Sequence, residues 1–220
     1  MAFKGIPPSA LAFYEGLAAD NTRAYWQANK TLYETEVKGS MLSMLDELSE
    51  FGPFNIFRPY NDVRFSKNKA PYKLNIGAVG ETEGGAIDYV QFSAEGLMAG
   101  SGYYHMAVDQ LDRFRHAVDD DRRGAEVERL VHDLARAGYS IGAIDELKTA
   151  PRGYPKDHPR IALLRRKGLI AYKSWSVGKW LHTKAAAQRV RETWLAARPL
   201  DVWLDGNVGP STLPPPDFDR

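Results

Sequence analysis

The spacing of apolar residues predicts two helical segments in the first part of the chain. Residues 9–19 carry apolar side chains three or four positions apart, and Ser9 stands before them as an N-cap. Asn21 is predicted to cap a longer segment, whose apolar positions recur as far as Leu48. Gly39 and Ser40 interrupt that segment, so we expect a break or a kink there.

From Phe54 the apolar pattern changes to a period of two, which is typical of strands. One alternating run begins at Tyr72, a second begins at Tyr89, and residues 97–104 follow a turn formed by residues 94–96. The pattern predicts an antiparallel meander.

Helical spacing returns over residues 107–118 and 122–137, and Gly138 is placed to end the second of these helices. Residues 161–166 suggest a short helix, residues 170–175 a strand, and residues 182–197 a helix that Pro199 ends. Neither an internal repeat nor a linker is visible. The prediction is therefore one α+β domain over residues 1–205, with a sheet meander packed against N-terminal and C-terminal helices. Residues 206–220 are predicted to form an extended, proline-rich tail that folding does not need.

Composition removes several classes of function. The chain has no cysteine, which excludes disulfides, thiol nucleophiles and thiolate metal sites. No signal peptide and no run of about 18 apolar residues is present, so we expect a cytoplasmic protein without a membrane span. No cofactor is predicted.

Charge is distributed unevenly along the chain, although its net value is only +1. Residues 57–73 hold five basic residues against one acid, and residues 148–173 hold eight against one. These two basic stretches therefore carry +4 and +7, which leaves −10 for the remaining chain. If they meet in the fold, they form a basic pole on an acidic body.

The first basic stretch has the composition of an anion site. Basic side chains alternate with aromatic ones before the predicted sheet, and Pro71 favours an ordered loop over a helix. Arginine guanidinium groups and lysine ammonium groups bind phosphates and carboxylates. A neighbouring acid can orient the arginine side chain. The predicted ligand-binding residues here are Arg58, Asp62, Arg64, Lys67, Lys69 and Tyr72. The competing interpretation is an ordinary solvated loop anchored by its aromatic residues.

The second basic stretch repeats this composition near a loop stiffened by prolines. It supplies the further predicted ligand-binding residues Arg152, Tyr154, Arg165 and Lys167. If the protein is an enzyme, which the sequence leaves open, acid–base chemistry would fall to His158 or Tyr72. A surface loop followed by an amphipathic helix explains the same residues without a ligand.

Other chemical motifs find little support. Ser66 and Lys69 fit S-x-x-K, but Pro71 opposes the helix that this motif requires and its companion motifs are absent. His105, Asp109, Asp112 and His116 have the spacing of metal ligands on a helix. The solvent-exposed face of a helix explains the same spacing. No metal is therefore predicted.

Residues 58–72, RPYNDVRFSKNKAPY, resemble the R-x-x-R-D-x-R-F-x-x-[DN]-K-x-x-Y signature of the bacterial family of domain of unknown function twenty-four sixty-one. Asn61 departs from it, because it stands where the signature has arginine. The positions that fit in register are Arg58, Asp62, Arg64, Phe65, Asn68, Lys69 and Tyr72. Weaker similarity covers Phe3-Lys4-Gly5, Asn21, Arg23, Trp26, Asn29, Lys30, Gly153-Tyr154 and His158-Pro159. The resemblance implies a single-domain bacterial protein without an established activity.

Three functions remain open from the sequence. The leading one is a small anionic ligand, bearing phosphate or carboxylate, in a pocket to which both basic stretches contribute. The second is nucleic-acid binding through the same loops, against which the near-neutral charge argues. The third is a module that docks an acidic protein partner. The oligomeric state is not predicted.

Overall fold

The structure is a computed structural model that describes residues 2–62, 69–82 and 84–214. Its first helical region contains α1 Pro8–Ala19, α2 Arg23–Leu32, a π-helical turn Tyr33–Lys38 and α3 Gly39–Glu47. The break predicted at Gly39 and Ser40 is not observed there, because both residues lie in α3, and the irregular π-helical turn comes one turn earlier. Both predicted N-caps are wrong. Pro7 precedes α1, and Thr22 caps α2 by accepting a hydrogen bond from the Tyr25 amide.

The predicted meander is confirmed. A short 3-10 turn, Ser49–Phe51, precedes its strands, which are β1 Phe54–Ile56, β2 Asn75–Glu81, β3 Ile87–Ser93 and β4 Gly96–Tyr103. The elements that follow are α4 Val108–Asp119, α5 Asp121–Arg136, β5 Ser140–Gly142, α6 Ile161–Leu164, β6 Leu169–Ser176, a 3-10 turn Lys179–His182 and α7 Ala185–Asn207. The sheet is antiparallel, with the order β1-β2-β3-β4-β6-β5. This α+β architecture confirms the predicted fold class.

Two boundaries differ from those expected. Strand β5 was not predicted, because three residues are too few to show a period. The predicted end of the last helix at Pro199 is wrong, since α7 continues to Asn207 with Pro199 inside it. Leu195, whose carbonyl oxygen has lost its amide partner at Pro199, is exposed to water, while Leu200 and Leu204 are fully buried. Burial of the following turns outweighs the loss of one helical hydrogen bond.

The chain forms two compact units, each with its own core. Unit 1 comprises Met1–Glu81, Asp88–Ala99 and Ser174–Thr193, and unit 2 comprises Thr82–Ile87, Gly100–Lys173 and Trp194–Arg220. Phe13, Tyr14 and Met44 are buried in unit 1, and Phe114 and Trp203 in unit 2. The first basic stretch belongs to unit 1 and the second to unit 2. In the part of the chain that the structure describes, no helix is both long and apolar enough to cross a membrane.

Candidate functional site

Two segments of the first basic stretch are held side by side in unit 1. Residues 57–62 and 69–73, which we call the loop foot, meet at an antiparallel bridge between Tyr60 and Tyr72. The Asn61 amide donates to the Pro71 carbonyl oxygen at 2.9 Å, and the Lys73 amide donates to that of Pro59 at 2.8 Å. These flanking bonds make Tyr60 and Tyr72 a non-hydrogen-bonded pair, whose side chains lie close together. Their ring centroids are 5.5 Å apart.

Two asparagine side chains fix the loop foot further. The Asn61 carboxamide donates to the carbonyl oxygens of Ala70 and Tyr72, both at 3.0 Å. The Asn21 carboxamide donates to the Tyr72 carbonyl oxygen at 2.9 Å and accepts from the Tyr72 amide at 3.1 Å. Asn61 therefore has a structural role in holding the two segments of the loop foot together.

The aromatic residues of the loop foot pack on the helices of unit 1. Tyr72 is 5% exposed and stacks on Trp26, with centroids 4.4 Å apart and planes only 7° apart. Tyr60 lies 5.9 Å from Trp26 at a tilt. Tyr33 lies 4.7 Å from Trp26 at a tilt, and burial raises the pKa of its hydroxyl to about 12, with Glu34 and Tyr60 adding to the shift. One face of the Tyr72 ring is thus already covered by Trp26.

The charged residues of the loop foot lie at its surface. Arg58, Asp62 and Lys69 are all exposed. Within the described residues, Arg58 makes no hydrogen bond or ion pair. The Lys73 ammonium lies 5.5 Å from the centre of the half-exposed Phe57 ring. The predicted ligand residues Arg64 and Lys67 lie outside the described residues.

In the second basic stretch, the predicted catalytic candidate His158 has both ring nitrogens engaged. Its Nδ1 accepts from the Arg160 amide at 3.0 Å, so Nε2 carries the hydrogen and donates to the Asp119 carboxylate at 3.1 Å. Its side chain is only 10% exposed. Arg160 donates from Nε to the Val118 carbonyl oxygen at 2.8 Å, at the end of α4. These contacts tie the loop to a helix terminus.

Acids and carbonyl groups also engage the predicted ligand residues Arg165 and Lys167. Arg165 donates from Nε to the Leu147 carbonyl oxygen at 2.5 Å, and its guanidinium lies 3.5 Å from the Glu146 carboxylate. The Lys167 ammonium lies 2.5 Å from the Asp145 carboxylate, and this contact lowers the pKa of Asp145 below its usual value. Their charges are therefore balanced locally.

Arg152 and Tyr154 differ from each other in exposure. Arg152 is exposed, and the described part of the chain offers its guanidinium no hydrogen bond or ion pair. Tyr154 is half-buried and lies edge-on to His158 at 6.4 Å. Burial, and next the nearby Asp119 carboxylate, raise the pKa of the Tyr154 hydroxyl. The predicted meeting of the two basic stretches stays a prediction.

Three members of the predicted metal-ligand ladder, Asp109, Asp112 and His116, lie on α4, and His105 precedes that helix. Asp109 accepts from the Thr212 amide and the Ser211 hydroxyl, both at 2.8 Å, and its pKa is lowered mainly by the Thr212 bond. His116 Nδ1 lies 2.8 Å from the Asp112 carbonyl oxygen. Within residues 2–62, 69–82 and 84–214, no group of acids and histidines is arranged to hold a metal ion.

Two members of the candidate site were not among the residues predicted to bind the anion. Tyr60, which is 46% exposed beside Arg58, was predicted from the sequence only as a ring that could stack bases in the nucleic-acid alternative. Trp26, which carries the stack beneath the loop foot, entered only through the family resemblance. The one sequence signal for both was the density of aromatic residues around basic ones.

Comparison with known proteins identifies a family for this chain. The model of a conserved hypothetical protein family, DUF2461, matches residues 9–203. No curated protein and no solved structure matches the chain.

Proposed function

The chain belongs to the conserved hypothetical protein family DUF2461, and we propose that it binds a small anionic ligand, bearing phosphate or carboxylate, at the loop foot. Arg58 and Lys69 are the described residues that would meet the anion. Arg64 and Lys67 remain predicted ligand residues on the strength of the sequence. Whether a reaction follows binding is left to experiment.

The exposed Arg58 guanidinium is the observation that carries this proposal. An arginine without an internal partner keeps its planar set of donors available for an oxyanion. The second basic stretch provides the contrast, because Arg160, Arg165 and Lys167 all bind carbonyl groups or carboxylates of unit 2. Arg152 is the exception in that stretch, since it too is exposed and has no partner among the described residues. Charge density alone therefore does not mark a site, and Arg58 is distinguished by its place on the fixed backbone of the loop foot.

Rigidity supports the same conclusion. The backbone that carries Arg58 and Lys69 is joined by the Tyr60–Tyr72 bridge and by the asparagine side chains. A ligand that binds such a frame loses less affinity to the ordering of the protein than one that binds a loose loop. Four side-chain hydrogen bonds, made by Asn21 and Asn61, fix this backbone.

A screen of anions at fixed ionic strength tests the proposal. Phosphate, citrate and ribose 5-phosphate are added to the whole chain, and the melting temperature is followed. An anion present at about 100 times its dissociation constant should raise the melting temperature by about 5–10 °C. Arg58→Gln should abolish this shift, because it removes the available guanidinium. Arg136→Gln is the matched control, since this arginine is 72% exposed on α5.

Two results would contradict the proposal. One is a shift of the same size in Arg58→Gln and in the wild-type protein. The other is that no small anion binds, while a single-stranded oligonucleotide binds with a steep dependence on salt. The second result would instead support nucleic-acid binding, for which the exposed rings of Phe57 and Tyr60 are suited.

A further inference from the structure

We infer that the anion bound at the loop foot carries an aromatic ring that stacks on Tyr60, as the base of a nucleoside monophosphate would. The inference rests on the proposed function and adds the chemical class of its ligand. It starts from the unequal exposure of three neighbouring rings, those of Tyr60 and Tyr72 in the loop foot and that of Trp26 beneath it. Trp26 is 2% exposed and Tyr72 is 5% exposed, whereas Tyr60 is 46% exposed.

The Tyr60 ring is packed against two other rings and is also exposed to solvent. Its ring contacts Trp26 at 5.9 Å and Tyr72 at 5.5 Å, and the bridge to Tyr72 fixes its backbone. Almost half of its surface nevertheless remains in water. A ring whose position is set by packing, but whose surface is not covered, is a ready platform for stacking.

The other exposed ring of the loop foot already has partners. Phe57 is 39% exposed, with the Lys73 ammonium 5.5 Å from its centre and the Tyr89 ring at 6.2 Å. Tyr60 has no cation over its ring among the described residues, although Arg58 lies only two positions before it. The loop foot therefore offers one available ring and one available guanidinium close together in the chain.

This pairing selects among anions. Inorganic phosphate and sugar phosphates satisfy the guanidinium but leave the ring in water. An aromatic phosphate satisfies both groups, since a base stacks on an aromatic side chain while its phosphate meets the cation. A single available ring accommodates a single base, which favours a mononucleotide over a longer strand.

Calorimetric titration separates the contribution of the ring from that of the charge. AMP, ribose 5-phosphate and adenosine are titrated into the wild-type protein, Tyr60→Leu and Tyr104→Leu. Tyr104 is the matched control, because it is 49% exposed and lies in unit 2. Leucine keeps an apolar cover over Trp26 but cannot stack. Wild-type protein should bind AMP roughly 5- to 150-fold more tightly than ribose 5-phosphate, the range given by base stacking.

Each outcome decides the inference. Tyr60→Leu should remove the preference for AMP and keep the affinity for ribose 5-phosphate, while Tyr104→Leu should change neither. Equal affinities of the wild-type protein for AMP and ribose 5-phosphate would overturn the inference and leave the proposed function standing; this comparison needs no variant. A preference that survives in Tyr60→Leu, or a six-base oligonucleotide that binds over a hundredfold more tightly than AMP, would also overturn it. If neither phosphate binds, the inference is overturned, and the proposed function then depends on the carboxylate anions of the screen.

Discussion

The Asn61 carboxamide helps to set the shape of the loop foot, although nothing in its local sequence announces this role. It donates to two carbonyl oxygens eight or more positions away, those of Ala70 and Tyr72. Asn21 reaches Tyr72 across 51 positions. Local patterns predicted the basic and aromatic character of the site, because composition is readable position by position. They could not predict these bonds, because the partners become neighbours only after folding.

Replacement of Asn61 by aspartate tests its structural role at nearly constant shape. Aspartate cannot donate to the two carbonyl oxygens, so Asn61→Asp should lower the free energy of unfolding by about 2 kcal/mol, near 1 kcal/mol for each lost bond. Urea denaturation measures the change. Asn55→Asp, at an exposed position of β1, should stay within about 0.5 kcal/mol. Equal effects of the two substitutions would contradict the role given to Asn61.

At the scale of elements, periodicity located most helices and strands, and packing decided where they end. The periods over residues 107–118 and 122–137 predicted α4 and α5 to within about two residues. Gly138 was predicted to end α5, and it lies just after that helix with a φ of +83°. In α7 the local rule that proline ends a helix is wrong for Pro199, because burial of Leu200, Trp203 and Leu204 stabilises the turns that follow. A sequence window does not show which later residues the core will hold.

The end of α4 depends on Arg160, which the sequence presents as one more cation of a basic stretch. Its side chain is 10% exposed and bonds to the carbonyl oxygens of Val118, Asp119 and Asp120. Val118 and Asp119 end α4, where the last carbonyl groups find no amide further along that helix, and the Asp120 carbonyl oxygen also accepts from the Gly124 amide of α5 at 2.8 Å. Hydrogen bonds from a charged group are worth about 1.5–3 kcal/mol, so Arg160→Ala should lower the free energy of unfolding by about 2–3 kcal/mol.

Arg152→Ala provides the matched control for this prediction. Arg152 belongs to the same basic stretch, but it is exposed and has no partner among the described residues. Its replacement should change stability by less than about 0.5 kcal/mol. Thermal and urea denaturation of both variants check the contrast. A loss as large for Arg152→Ala as for Arg160→Ala would show that the total charge of the stretch, rather than the helix terminus, determines its stability.

At the scale of the whole molecule, the C-terminal segment is more firmly attached than its composition predicts. The sequence suggests an expendable tail from residue 206, yet α7 reaches Asn207 and Val208 is 3% exposed. Gln110 donates to the Gly209 carbonyl oxygen, Arg113 donates to those of Val208 and Pro210, and Asp109 accepts from Thr212. Removal of residues 206–214 should therefore lower the free energy of unfolding more than removal of an unattached end would.

The Asp109 contact predicts how this attachment depends on pH. Because the folded-state pKa of Asp109 is lowered, its contribution is complete above the unfolded value of about 3.9 and is lost as pH falls through the lower folded value. The amide resonance of Thr212 should therefore be constant down to about pH 4 and shift only below it. Asp109→Asn should abolish the transition. A midpoint at or above about 3.9 would contradict the lowered pKa.

Charge at the molecular scale leads to the last prediction. A total of +11 on two stretches and −10 elsewhere costs self-repulsion within each stretch unless acids or an anion offset it. In the second stretch, acids and carbonyl groups provide much of that offset, whereas Arg58 and Arg152 keep no internal partner among the described residues. Arg58 and Arg152 are therefore the two arginines whose charge a bound anion would offset, and each is tested by substitution.

A double-mutant cycle on ligand affinity decides between one site and two separate surfaces. Dissociation constants are measured for ribose 5-phosphate with the wild-type protein, Arg58→Gln, Arg152→Gln and the double variant. Arg58→Gln should weaken binding, because its guanidinium is proposed to meet the anion. A further loss in Arg152→Gln that is not additive with it would show that both substitutions affect the same bound anion. Lys156→Gln, exposed in the same stretch as Arg152, is the control for a loss of charge alone. If Arg152→Gln binds as the wild-type protein does, the second stretch is not part of the site, and the loop foot alone holds the ligand.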